Sequence, residues 1–153
     1  MFLFRIMKIE EEIKSKFESE SQKALVNLIY TFHYVNDKSK SFFKPFKITS
    51  QQYNILRILR GQYPKSASIK LLKERMLDKN SDVSRIIDRL LLKKLISRAD
   101  SKLDRRQKDI LISEEGLDLL SKIDINNSQN QILSNLSDDE AKQFNSLLDK
   151  VRN

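Results

Sequence analysis

Apolar positions recur at helical spacing along most of this chain and switch to period two in one place. Val83, Ile86, Ile87 and Leu90 follow i, i+3, i+4, i+7 and make one buried stripe over residues 81–94. Ser81, Ser84, Arg85, Asp88 and Arg89 lie off that stripe. One helix therefore presents hydroxyl and guanidinium groups outward while its back is anchored in a core. Two short alternating runs follow, residues 95–99 and 108–113. Ile110 and Ile112 share one face there, with Leu111 opposite, as strands require. The polar connection between them, DSKLDRRQ, carries Lys102, Arg105 and Arg106 near its tip.

Elsewhere the spacing predicts helices. Ile9, Ile13 and Phe17 form a short stripe, and Leu25, Leu28, Ile29, Phe32 and Val35 continue at helical spacing after a polar run. The helical signal over residues 8–43 ends at Phe42-Phe43-Lys44-Pro45-Phe46, because proline disfavours helical geometry in the residue before it. Thr49-Ser50-Gln51-Gln52 is a capping box, and it opens a helix with Tyr53, Leu56 and Leu59 inward. Gly61 and Pro64 mark its end. Ser68 precedes a short helix with Ile69, Leu72 and Met76. Residues 77–80 then lead to the helix at Ser81 without a glycine; Asn80 supplies either a left-handed conformation or the N-cap. Ser113 caps the next helix, with Glu114 and Glu115 at the favourable end of its dipole. Leu117, Leu120 and Ile123 point one way, and the helix is expected to run on to Leu136. Ser137-Asp138-Asp139-Glu140 is a second capping box. It opens a last helix with Ala141, Phe144, Leu147, Leu148 and Val151 on one face, a stripe that needs a partner. No repeat, linker or low-complexity tract divides the chain, so a single domain over residues 1–153 is expected.

A polar-faced helix followed by a basic-tipped hairpin is the plan of a winged helix-turn-helix. The helix suits a major groove and the hairpin reaches the adjacent minor groove. The fold class expected is mainly α, with a two-stranded β wing and flanking N- and C-terminal helices. Composition agrees. The chain has 153 residues, 39% hydrophobic and 33% charged, and only two glycines and two prolines, which favours long helices over a turn-rich β fold. Charge sharpens the picture. Residues 65–108 hold 14 Lys and Arg against 6 Asp and Glu, a net of +8, which equals the net charge of the whole chain. A localised excess of this kind is the footprint expected for a polyanion, where a uniformly basic chain implies only solubility. No cysteine is present, which excludes disulfides, thiolate chemistry and Cys-ligated metals. A single histidine, His33, argues against a His-based metal site or triad. No Gly-rich phosphate loop or nucleophile elbow suggests an enzyme, and no cofactor is expected. The apolar start, MFLFRIMKIEEEI, is too short to span a bilayer and lacks the layout of a signal peptide. The chain reads as cytoplasmic with no membrane partner, and Met7 is an alternative start.

Four pieces in order carry a resemblance. They are Ser81-Asp82-Val83-Ser84-Arg85-Ile86-Ile87-Asp88-Arg89-Leu90, then Lys94-Leu95-Ile96-Ser97-Arg98, then Asp104-Arg105-Arg106, and last Leu111-Ile112-Ser113-Glu114-Glu115-Gly116. Together they resemble the MarR family of transcriptional regulators, over roughly residues 48–123. The resemblance implies a winged-helix DNA-binding lobe over about 48–113 and dimerisation helices over about 8–43 and 114–153. It implies a homodimer on a palindromic double-stranded operator, acting as a repressor relieved by a small aromatic effector.

Arg85 and Ser84 fall in the first turns of the candidate recognition helix. An arginine there bonds guanine O6 and N7 together, or else pairs with Asp82 or Asp88 on the surface. Ser81 caps the helix, bonds a phosphate, or does both in different states. Lys79 and Asn80 are candidate phosphate contacts at the helix's positive end, and Arg89 lies on the same polar side. Asp104-Arg105-Arg106 matches the family's wing motif, which implies Arg106 in the minor groove and Asp104 orienting an arginine. Narrow minor grooves do concentrate negative potential. Lys102 and Lys108 add phosphate neutralisation. Tyr30, His33, Tyr34 and Phe46 either fill the core and dimer seam or line an effector cleft, as the family implies. The alternative to a DNA-binding regulator is a winged-helix adaptor that binds protein, and a salt-sensitive shift on random duplex DNA separates the two.

Overall fold

The computed structural model describes residues 7–101, 108–126 and 132–153. They form two compact units, one up to Ser39 and one from Lys40 onward. In the first, α1 (Ile9–Glu12) precedes most of the long α2 (Glu20–Phe43). Ile9 is buried, and a Lys23–Glu10 ion pair joins the two helices. The Ile9–Phe17 stripe is broken at Lys14, whose φ of 51° ends α1. Leu25, Ile29, Phe32 and Tyr34 are all exposed along α2.

The second unit begins with the last turn of α2 and a 3-10 turn at Lys44–Phe46 that carries Pro45. It continues through α3 (Ser50–Gln62), α4 (Ile69–Arg75), α5 (Val83–Leu92), β1 (Ile96–Asp100), β2 (Lys108–Ile112), α6 (Glu114–Asn126) and α7 (Asp138–Arg152). Both capping boxes form, at Thr49 with Gln52 and at Ser137 with Glu140. Ser68 caps α4 by accepting from the Leu71 N–H at 3.1 Å, and Ser113 accepts from the Gly116 N–H at 3.1 Å at the start of α6. β1 and β2 pair antiparallel, with Ile96 opposite Ile112 and Arg98 opposite Ile110. Ala67 extends the hairpin through a reciprocal backbone pair with Ile110, both bonds 2.8 Å. Ile110 and Ile112 are buried and Leu111 is only half-buried, which is the alternation expected.

One core joins α3 to α6 and the hairpin. Leu56 and Leu59 of α3, Leu72 of α4, Ile87 and Leu90 of α5, Ile110 of β2 and Leu120 of α6 are all within 1% of complete burial. The core fixes α5 and the hairpin to one frame. This is the winged helix-turn-helix that the pattern implies.

Three boundaries differ from the expectation. Helix α5 starts at Val83 and is capped by Asp82, whose carboxylate accepts from the Arg85 N–H at 3.1 Å. Neither Ser81 nor Asn80 caps it, and Asn80 is not left-handed. Gly61 lies inside α3, which continues to Gln62. The helix expected to reach Leu136 is described to Asn126 and does not reach Leu136, because residues 132–135 form a turn; residues 127–131 are outside the described residues.

α5 closes through Lys94, which has φ 58° where a glycine is the usual solution. A side chain in that conformation costs about 1 kcal/mol. Lys94→Gly removes this cost at the expense of a more flexible unfolded chain. The variant is expected to be more stable by about 0.5 kcal/mol, read as a higher urea midpoint at unchanged slope.

Candidate nucleic-acid interface

The turn into α5 is held by a small polar network. The Leu77 N–H donates to Asn54 Oδ1 at 2.9 Å, tying the turn to α3. Asp78 accepts from the Asn80 N–H at 3.0 Å and from the Ser81 hydroxyl at 2.9 Å. Lys79 donates to the Glu74 carbonyl at 2.5 Å. Asn80 and Ser81 therefore shape the turn. Their side chains and that of Lys79 remain at the entrance to α5, with Lys79 and Asn80 exposed and Ser81 half-buried.

Along α5 the two faces separate cleanly. Val83, Ile87 and Leu90 are buried; Ser84, Arg85, Asp88, Arg89 and Leu92 are exposed. Arg85 takes its backbone N–H to Asp82. The expected surface pairing involves a different arginine: Arg98 on β1 donates from Nη2 to Asp88 Oδ1 at 2.8 Å. Both side chains are more than half exposed, so the pair adds little stability. Its consequence is geometric, because it joins the outer face of α5 to the first strand of the hairpin. It also offsets the Asp88 carboxylate beside the exposed arginines of α5.

Lys108 opens β2, is exposed, and forms an ion pair with Asp100 across the hairpin. Lys102, Asp104, Arg105 and Arg106 lie outside the described residues. The structure thus brings Ser84, Arg85 and Arg89 together on one anchored surface, with Lys79, Asn80 and Ser81 at its entrance.

Three of the four candidate effector contacts stand on α2 in the first unit. The Tyr30 hydroxyl donates to Glu12 Oε2 at 3.0 Å, and that carboxylate holds the phenol's pKa above its ordinary value. His33 is exposed beside Phe32, the ring centroids 5.6 Å apart, and Tyr34 is exposed with Lys38 over its ring. Phe46 belongs to the second unit, half-buried against Phe42 at 5.6 Å. A cleft in the first unit is lined by Glu10, Phe17 and Lys23 and contains none of these four. Among the described residues no group of three His, Cys, Asp or Glu is placed to hold a metal ion, and no helix is long and apolar enough to cross a membrane.

The sequence pattern missed the Asp88–Arg98 link and the role of Asp82. Only the i to i+3 spacing of Asp82 to Arg85 could have signalled the cap.

Comparison with known proteins matches residues 48–108 to the MarR family. The HTH-type transcriptional regulator PapX of Escherichia coli is 26% identical over 119 residues, covering 76% of this chain and 73% of PapX. A MarR transcription factor from Planctomyces limnophilus is 27% identical, with a TM-score of 0.66 over 88% of this chain and 98% of that one. MepR of S. aureus, solved with DNA, is 25% identical, with a TM-score of 0.71 over 89% of this chain and 97% of MepR.

Proposed function

We propose that this chain, a transcriptional regulator of the MarR family, is a homodimeric repressor that reads a palindromic operator through α5. The observation that carries this reading is the α5 surface: Ser84, Arg85 and Arg89 exposed on a helix whose opposite face is locked into the core. A helix so held fixes the backbone that carries its guanidinium groups, so little backbone freedom is lost on binding. The excess of positive charge in residues 65–108 supplies attraction to phosphate regardless of sequence. MepR, similar over nearly its whole length, has been solved on DNA. Within this reading Arg85 and Ser84 contact base edges. Lys79, Asn80, Ser81, Arg89 and Lys108 contact the backbone. Lys102, Asp104, Arg105 and Arg106 form the minor-groove wing. Residues 48–113 are the DNA-binding lobe.

Homodimerisation is supported by two apolar faces that are exposed among the described residues. Phe32 on α2 is 63% exposed and Val151 on α7 is 71% exposed, each within a stripe at helical spacing. Such stripes are costly to leave in water. Release by a small aromatic effector is the remaining part of the proposal, with Tyr30, His33, Tyr34 and Phe46 as the candidate contacts.

Selection of bound fragments from a random duplex pool tests the reading. The expected result is one inverted repeat, bound by a species that sediments as a dimer, with log affinity falling against log salt at a slope of roughly −5 to −9. Binding indifferent to salt, or a pool with no shared sequence, would contradict it.

A further inference from the structure

We propose that Leu92 is a base-reading residue whose side chain recognises the 5-methyl group of a thymine in the major groove. The inference rests on the reading of α5 as the recognition helix. Leu92 is the last residue of α5 and is 84% exposed. Single exposed leucines are ordinary on protein surfaces, but the position of this one is not. Arg85, Asp88 and Leu92 stand at i, i+3 and i+7, one line along the helix, opposite buried Val83, Ile87 and Leu90. An apolar side chain therefore occupies the middle of the polar face, on the same line as the candidate guanine-reading arginine. Asp88 lies between them, and its charge is offset by Arg98 at 2.8 Å, so the line does not repel a phosphate backbone.

The chemistry of the groove then selects the contact. Base edges in the major groove present donors and acceptors, and thymine alone adds a methyl group. A leucine pressed on a donor or acceptor strips it of water and offers nothing in return. Against a thymine methyl it removes two apolar surfaces from water. Helical rise fixes the spacing: seven residues span about 10.5 Å, and because the major groove runs obliquely to the duplex axis, a helix lying in it passes about two base-pair steps over that length. With α5 lying along the groove, the thymine falls about two base pairs from the guanine that Arg85 contacts, once in each half-site.

The test uses the full chain and a duplex it has selected from a random pool. Each thymine in turn is replaced by deoxyuridine, which deletes the methyl and keeps the base pair. Wild-type protein and Leu92→Ala are titrated against every duplex. Replacement of the thymine about two base pairs from the contacted guanine in one half-site is expected to weaken wild-type binding about threefold to fivefold, the scale of one methyl group, and replacement in both half-sites by about tenfold or more. Leu92→Ala removes the contact in both half-sites and is expected to bind the thymine and uracil duplexes alike, at the level of wild type on the doubly replaced duplex. Wild-type binding indifferent to every replacement overturns the proposal, as does Leu92→Ala that keeps the wild-type sensitivity. A pool with no shared sequence refutes the recognition-helix reading itself, and the assignment of Leu92 falls with it.

Discussion

Gly116→Ala is expected to destabilise the protein by about 3 kcal/mol, whereas Gly61→Ala is expected to stabilise it by about 1 kcal/mol. Both glycines lie within helices, α6 and α3, so helix propensity favours alanine at each. Their surroundings decide the sign. A Cβ at Gly61 meets nothing within 4 Å, and the propensity gain stands alone. At Gly116 it would lie 2.3 Å from the Leu95 carbonyl oxygen and 2.8 Å from Ile112 Cγ1. That carbonyl cannot swing aside freely, because it accepts from the Ser113 N–H at 3.1 Å. The Leu95 N–H is in turn bonded to the Leu90 carbonyl at 3.1 Å. The start of α6 thus presses directly on the junction between α5 and β1. Relief of the clash must move α6 away or displace the hairpin, and either loses packing around Ile112 and Leu120. Thermal unfolding should show Gly116→Ala melting about 6–12 °C lower for this chain length. Equal melting temperatures for Gly116→Ala and wild type would show that the junction yields more easily than its contacts imply.

Helix α5 was legible because the sequence states both of its faces. Four apolar residues at helical spacing define the buried side, and everything polar falls on the other. The strand pair was legible for the same reason at period two. Capping was less so. Asn80, Ser81 and Asp82 are all good N-cap residues, and only the geometry of the turn decides that Asp78 takes Ser81 and leaves Asp82 to the helix. Lys94 hides its left-handed conformation, since lysine carries no signal for it. The Asp88–Arg98 pair is ten residues apart in sequence and meets only because the chain reverses after α5. Leu92 escaped a reading that counted apolar residues only on the buried side. The four candidate effector residues share aromatic or imidazole chemistry, but that similarity does not encode where they stand. Three are exposed along α2, and Phe46 lies in a ring cluster of the second unit.

Arg85→Ala should lower affinity for a selected operator by about tenfold or more per half-site, the scale of one bidentate contact with guanine. Its effect on a random duplex should be much smaller, because the charge lost is one of many that face phosphate. The fold should be unaffected. Arg85 is exposed, and its helix is held by Val83, Ile87 and Leu90 and capped through its backbone N–H, which alanine retains. The most direct measurement is therefore a paired titration of wild type and Arg85→Ala against the selected operator and a random duplex at one salt concentration. A large loss on the operator with little change on random DNA is the predicted result. Equal losses on both would mean that Arg85 only neutralises phosphate and that α5 does not read sequence through it.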